Sequence, residues 1–198
     1  MTARVPFWFD ISEPAPTLDQ DIAERIAVVR EKSGFLPNVF ATLSYFPDEF
    51  RAFFAYHDAL MESEGGLSKA EREMIVVATS AANGCTYCVI AHGAIYRIRS
   101  KHPYRSDQLS IDFERADLTD RERGILRFAH KVSLHPQTVE PDDFAPLYAL
   151  ELSDSDIWQV GAIASFFALS NRLAGFAKIM PNPEFYNMGR DRPLRPPS

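Results

Sequence analysis

Apolar residues recur at helical spacing along almost the whole chain, and no segment alternates apolar and polar positions long enough to predict a strand. In "TLDQDIAERIAVVREKSG" (17–34), Ile22, Ile26 and Val29 share one face, Thr17 or Asp19 can cap the start, and Gly34 can end it. "LPNVFATLSYFP" predicts a short helix between two prolines, and "DEFRAFFAYHDALMESEGG" a longer one stopped by Gly65-Gly66. A start signal then repeats. "LSKAE" (67–71), "LTDRE" (118–122) and "LSDSD" (152–156) each place Ser or Thr three residues before an acid, a capping box or its Asp variant.

The first box opens "REMIVVATSAAN", apolar nearly all round and so expected to be buried. Asn83-Gly84 should end it, with a further helix from the cysteines to about Ser100. "KHPYRSDQLSIDFERAD" reads as a polar connection with a short helix. "DRERGILRFAHKVSLHP", "PDDFAPLYALE" and a last segment from about Ser153 to Gly175 read as three more helices. The expectation is one all-α domain over residues 1–198, with an N-terminal strip (1–16) and a Pro/Arg-rich tail (181–198) that are extended. Residues 67–88 can also be laid over 152–173 without a gap, which sets Ser170 opposite Cys85 and Leu173 opposite Cys88. A degenerate duplication of a helical unit and two independent buried helices with similar caps account for this echo equally well.

Composition narrows the function. The hydrophobic fraction of 46% supports a full core, and the net charge of −6 with no basic stripe argues against nucleic acid or anionic membranes as partners. The longest apolar run, 160–169, is too short to span a bilayer and fits a buried helix. No signal peptide is visible at the start, so a cytoplasmic location is expected. Thiols stay reduced there, which makes a close cysteine pair a catalytic or metal-binding feature rather than a staple.

That pair, the only cysteines in the chain, lies in "NGCTYCVIAHG" (83–93). Haem attachment would need His directly after the second Cys, where Val89 stands. Structural zinc would need a fourth ligand, such as Glu73, beside Cys85, Cys88 and His92. Two small buried hydrophobes at a helix start are a third reading. The fourth, a redox dithiol, is favoured by local physics. Cys85 and Cys88 fall in a first helical turn, where free amides and the helix dipole stabilise a thiolate. His92 lies one turn beyond Cys88 on the same face, positioned to take its proton. If 69–82 and 86–100 pair as antiparallel helices, Glu73 lies about one turn, roughly 5 Å, beyond His92. It is then too far for direct contact with Cys88 but placed for a relay Glu73–His92–Cys88, though a solvated first-turn acid is the plainer account of Glu73. His57, His102, His130 and His135 show no partner spacing and receive no role.

The stretch "EREMIVVATSAANGCTYCVIAHG" resembles the core of the alkyl hydroperoxidase D-like (AhpD-like) family, within the carboxymuconolactone decarboxylase superfamily: Glu73, eleven residues, Cys85-x-x-Cys88, three residues, His92. "GFLPNVFATLSYFP" and "AFFAYHDALM" are similar to its peroxidase-related branch, so the resemblance spans about 34–175. It implies an all-helical homo-oligomer that reduces hydroperoxides. Cys88 would attack, Cys85 resolve, and Glu73 and His92 relay protons. Some members carry a second relay histidine just before the second cysteine, where Tyr87 stands here. With no dinucleotide fingerprint such as G-x-G-x-x-G, no cofactor or metal is expected, and electrons would come from an external dithiol, a lipoyl or thioredoxin-like protein. Two other readings stay open: a lactone decarboxylase of the same superfamily, which has no need of the cysteine pair, and a non-enzymatic metal-binding or redox-sensing helical protein.

Overall fold

The computed structural model describes Phe9 and residues 11–190. Among them there are nine α-helices and no strand. α1 (Gln20–Ser33) ends where Gly34 turns into the left-handed region at φ +80°. α2 (Asn38–Leu43) and α3 (Pro47–Met61) begin at the two prolines that bracket the predicted short helix. α4 (Lys69–Ala82), α7 (Asp120–Leu134) and α9 (Asp154–Phe176) each start with the reciprocal capping box read from the sequence, on Ser68/Glu71, Thr119/Glu122 and Ser153/Asp156. Each such cap stabilises its helix by about 1 kcal/mol. α5 (Thr86–Ser100) follows the cysteines, and α6 (Arg105–Asp112) and α8 (Ala145–Tyr148) are the short connecting helices.

α4 lies at the centre, packed on α5, α6, α7 and α9. Its residues from Arg72 to Ser80 are all buried, as its lack of a polar face demands. The main core gathers Met74, Ile75, Val76 and Val77 of α4 with Ile125 and Leu126 of α7 and Val160, Ile163 and Phe167 of α9. A second cluster joins the cysteines to Ala174, Ile179 and Phe185, and a third is formed by α1–α3 around Ile22, Phe50 and Phe54. The site lies where these last two meet.

Two expectations are modified. α9 is apolar all round but only partly buried, with Trp158, Leu169 and Phe176 exposed. The tail, expected to be extended, forms a 3-10 turn over Pro183–Tyr186 that docks on α5. The cause is a buried arginine: Arg97 Nη2 donates to the Phe185 carbonyl (2.7 Å) and Nε to that of Met188 (2.8 Å). Phe185 stands edge-on to Phe35 with ring centroids 4.9 Å apart, and Asn182 bonds to Asn38 and Leu36, so the tail also clamps the start of α2. The remaining parts of the terminal strips, 1–8, 10 and 191–198, lie outside the described residues. No described helix is long and apolar enough to cross a membrane.

Candidate active site

The site is built on the corner between α4 and α5. Gly84 takes φ +68°, a conformation that carries little penalty only for glycine. The amide of Gly84 then donates to Ala81 O (3.0 Å) and that of Cys85 to Ser80 O (2.9 Å). This Schellman pattern satisfies the last carbonyls of α4. Cys85 thus closes α4 with its N–H while its sulfur caps α5, accepting the Cys88 N–H at 3.4 Å. Both cysteines are free thiols and both are buried.

Their surroundings differ. The N-terminal amides of α5 and a hydrogen bond from the Cys88 thiol favour charge on Cys85, whose pKa falls to about 7; the Cys88 thiol is the larger cause. The same hydrogen bond, with burial, pushes the Cys88 thiol well above the ordinary range. Above about pH 7 the pair therefore carries its negative charge on Cys85 and keeps a proton on Cys88. Spacing sets His92 nearer to Cys88 than to Cys85, whereas the capping geometry favours the charge on Cys85.

His92 and Glu73 come together as the antiparallel arrangement predicts, but more closely. His92 Nδ1 lies 2.7 Å from Glu73 Oε2. A neutral ring that donates Nδ1–H to the carboxylate leaves Nε2 free to accept a proton. Glu73 is only 2% exposed and its other oxygen pairs with Arg99 Nη1 at 3.2 Å, so it is no solvated first-turn acid. Arg99, which also binds Glu62 at 2.6 Å, was invisible as a partner because it is 26 positions from Glu73 along the chain.

Cys88 and His92 open on one cavity of about 240 Å³, lined mainly by aromatic and aliphatic side chains of α2, α3, α5, α9 and the tail, among them Phe40, Phe53, Phe54, Phe167 and Phe185. Cys85 faces away from it, onto a shallow outer depression bordered by Gly84, Val89 and Ser110. Tyr87 also reaches the cavity; its hydroxyl accepts the Val39 N–H at 3.2 Å, and burial raises its pKa, so it keeps its proton.

α9 supplies three residues that no sequence signal marked. Ser170 Oγ lies 3.9 Å from Cys88 Sγ. Asn171 is held by Ser80 (2.9 Å) and Asn83 (3.0 Å), and its amide hydrogen bonding lowers the pKa of both cysteines. Phe167 stands edge-on to the His92 ring at 4.7 Å. The α4/α9 echo set Ser170 opposite Cys85 in the alignment, and in space it meets the other cysteine. α9 also runs straight through the position where α4 breaks, because Leu169 stands where Gly84 would be. His57 of α3, given no role above, reaches the same cavity, with its ring 6.4 Å from that of His92. His102, His130 and His135 are not among the lining residues. Among the described residues, no group of three or more His, Cys, Asp and Glu side chains is arranged to hold a metal ion.

Comparison with known proteins places the fold. A crystal structure of an alkylhydroperoxidase AhpD core, an uncharacterized peroxidase-related protein from Ralstonia eutropha JMP134, is 52% identical, covers 91% of this chain and 97% of its own, and superposes with a TM-score of 0.89. The chain is an AhpD-like member of the carboxymuconolactone decarboxylase superfamily. The carboxymuconolactone decarboxylase family profile matches residues 47–101, which hold α4, the cysteines and His92. An uncharacterized peroxidase-related protein from Silicibacter sp. TM1040 is 32% identical over 96% of this AhpD-like chain and 100% of its own, with a TM-score of 0.87. The debrominase Bmp8, 20% identical over 86% of this chain and 90% of its own (TM-score 0.69), shares the fold. No curated protein matches the chain.

Proposed function

We propose that this protein is a thiol-dependent peroxidase that reduces hydroperoxides through a Cys85/Cys88 dithiol–disulfide cycle. One observation carries the reading: Cys88 and a carboxylate-supported His92 face one apolar cavity, while Cys85 faces out on the other side. His92 Nε2 takes the Cys88 proton as the sulfur attacks a peroxide oxygen. An S–O bond forms, the O–O bond breaks, Cys88 becomes a sulfenic acid, and the other oxygen departs with the electron pair as an alkoxide that takes up a proton to become the alcohol. The Cys85 thiolate then attacks the Cys88 sulfur, and the departing hydroxide leaves as water with the proton held on His92. Glu73 fixes the tautomer and orientation of His92. An external dithiol, lipoyl or thioredoxin-like, attacks Cys85 from the outer depression and restores the pair by exchange. The exposed apolar residues of α9 suit a homo-oligomer.

The test is stoichiometric. Reduced protein mixed anaerobically with tert-butyl hydroperoxide should lose both thiols for each peroxide consumed and yield a Cys85–Cys88 disulfide by peptide mass. Persisting thiols would overturn the reading. A crystal structure of a Bmp8 variant contains 2,3,4-tribromopyrrole, and the aromatic lining of this cavity suits such a planar ligand as well. Bromide release from a bromopyrrole, without peroxide turnover, would replace peroxidase by reductive dehalogenase.

A further inference from the structure

The cavity holds two histidines of matching construction. His92 of α5 places Nδ1 on Glu73, which pairs with Arg99. His57 of α3 places Nδ1 3.1 Å from Asp58 Oδ1, and Asp58 pairs with Arg25 through both oxygens, at 3.0 and 2.8 Å. Arg25 is steadied in turn over the Phe54 ring, 4.8 Å from its centroid. The two imidazoles come from different helices and line the same cavity with ring centroids 6.4 Å apart, and the Phe167 ring centroid lies 6.3 Å from that of His57 and 4.7 Å from that of His92. Nothing in the reading above uses His57, although it has the supporting carboxylate that a proton-transfer group needs.

The chemistry leaves a task open. When the Cys88 sulfur takes the terminal oxygen of a hydroperoxide, the electron pair of the O–O bond departs on the other oxygen as an alkoxide. An alkoxide is a strong base and a poor leaving group, and the mainly apolar lining around it solvates it poorly. A proton donor there lowers the barrier, by a factor that for positioned general acids is typically about 10²–10⁴. His92 cannot serve both ends of the reaction at once, because it is receiving the Cys88 proton. Tyr87, another hydroxyl at the cavity, has its oxygen on the Val39 N–H at 3.2 Å and lacks the carboxylate partner that both histidines have.

We infer that His57, held by Asp58 and Arg25, is the general acid that protonates the departing alkoxide, beside the base His92. The inference rests on the peroxidase reading. The imidazolium form of His57 donates Nδ1–H to Asp58 and delivers the Nε2 proton to the leaving oxygen, which departs as an alcohol. Counted over one cycle, the reactants are one thiolate, one thiol, the imidazolium donor and the hydroperoxide. The cycle ends with a disulfide, an alcohol, water and neutral His57, so one proton per cycle must return from outside. His57 is a quarter exposed at its side chain and can regain that proton from solvent.

The test uses leaving groups that differ in their need for a proton. In single-turnover kinetics, His57→Gln and His57→Phe should react with tert-butyl hydroperoxide at least about 10-fold more slowly than wild type. With peracetic acid, whose carboxylate leaves without protonation, the same variants should stay within about twofold of wild type. Iodoacetamide alkylation of the reduced pair should be unchanged, which separates loss of the acid from loss of thiol activation. Equal slowing with both oxidants, or no slowing with either, would overturn the assignment. The selective loss appearing in Tyr87→Phe instead would transfer the role to Tyr87. Wild-type protein inert towards both oxidants would sink the peroxidase reading itself, a result distinct from any of these.

Discussion

The α4–α5 corner and the wall that α3 and α9 raise opposite it border the same cavity but are assembled differently. The corner is local: Glu73, Gly84, Cys85, Cys88 and His92 fall within 20 residues, and two helices joined by one glycine turn fix their relations. The wall is collected from His57, Phe167 and Ser170, with Asn171 behind the sulfurs, and these positions are set only by helices docking on the corner. On the proposed reading the difference is a division of labour. The corner carries the sulfurs and the base, and the wall supplies the acid and tunes charge and shape, so substitutions there should change the character of the reaction more than its existence.

The comparison breaks most visibly at the sulfurs. Cys88→Ser should abolish the fast reaction with peroxide, because it removes the cavity-facing sulfur. Cys85→Ser should still react once and stall as a Cys88 sulfenic acid. A sulfenic-acid trap followed by intact mass should label only the Cys85→Ser variant. Label confined to Cys88→Ser would reverse the roles, an outcome the resting charge on Cys85 makes worth testing.

Next comes Glu73. Glu73→Gln keeps the shape of the side chain but removes the charge that supports an imidazolium on His92, so turnover should fall by roughly 10²-fold. Because Glu73 is buried between His92 and Arg99, the same change should also cost about 1–3 kcal/mol of stability. Thermal melting and turnover measured on one preparation would show both losses. A change in melting without a change in rate would reduce Glu73 to a structural ion pair.

A wall substitution should act on the charge instead. The thiolate fraction of Cys85 rises with pH through about 7, so alkylation of reduced protein by iodoacetamide should accelerate through that value and then level off. Asn171 lowers the pKa of both cysteines, and Asn171→Leu should therefore move the profile to higher pH and slow alkylation at neutrality. An unmoved profile would confine Asn171 to holding Ser80 and Asn83 in place.

Ser170→Ala should have the smallest effect. Its 3.9 Å contact with the sulfur is long, and a weak bond of this kind is worth no more than about 1 kcal/mol, under tenfold in rate. A larger loss in single-turnover rate would place Ser170 among the bond-making groups and blur the line between wall and corner.

The sequence by itself determined the helices and the corner. Capping boxes, prolines and Gly34 and Gly84 act within a few residues, so they are legible without knowing what packs on what. Cys88 and His92 are one turn apart on a helix, and Glu73 follows once α4 and α5 are read as a hairpin, so helical geometry alone brings the three into range. Tertiary structure decided everything that depends on which helix faces which. It put His57 near His92, though 35 positions separate them in the chain, and Ser170 against Cys88 across 82. It turned a Pro-rich tail into a cavity wall through Arg97, whose partners in the tail are main-chain carbonyls and so carry no sequence signature. It also ranked the two cysteines. Both lie at a helix start, but only Cys85 occupies the capping position where its sulfur receives the amide of the other, and that is a fact of three-dimensional geometry rather than of spacing.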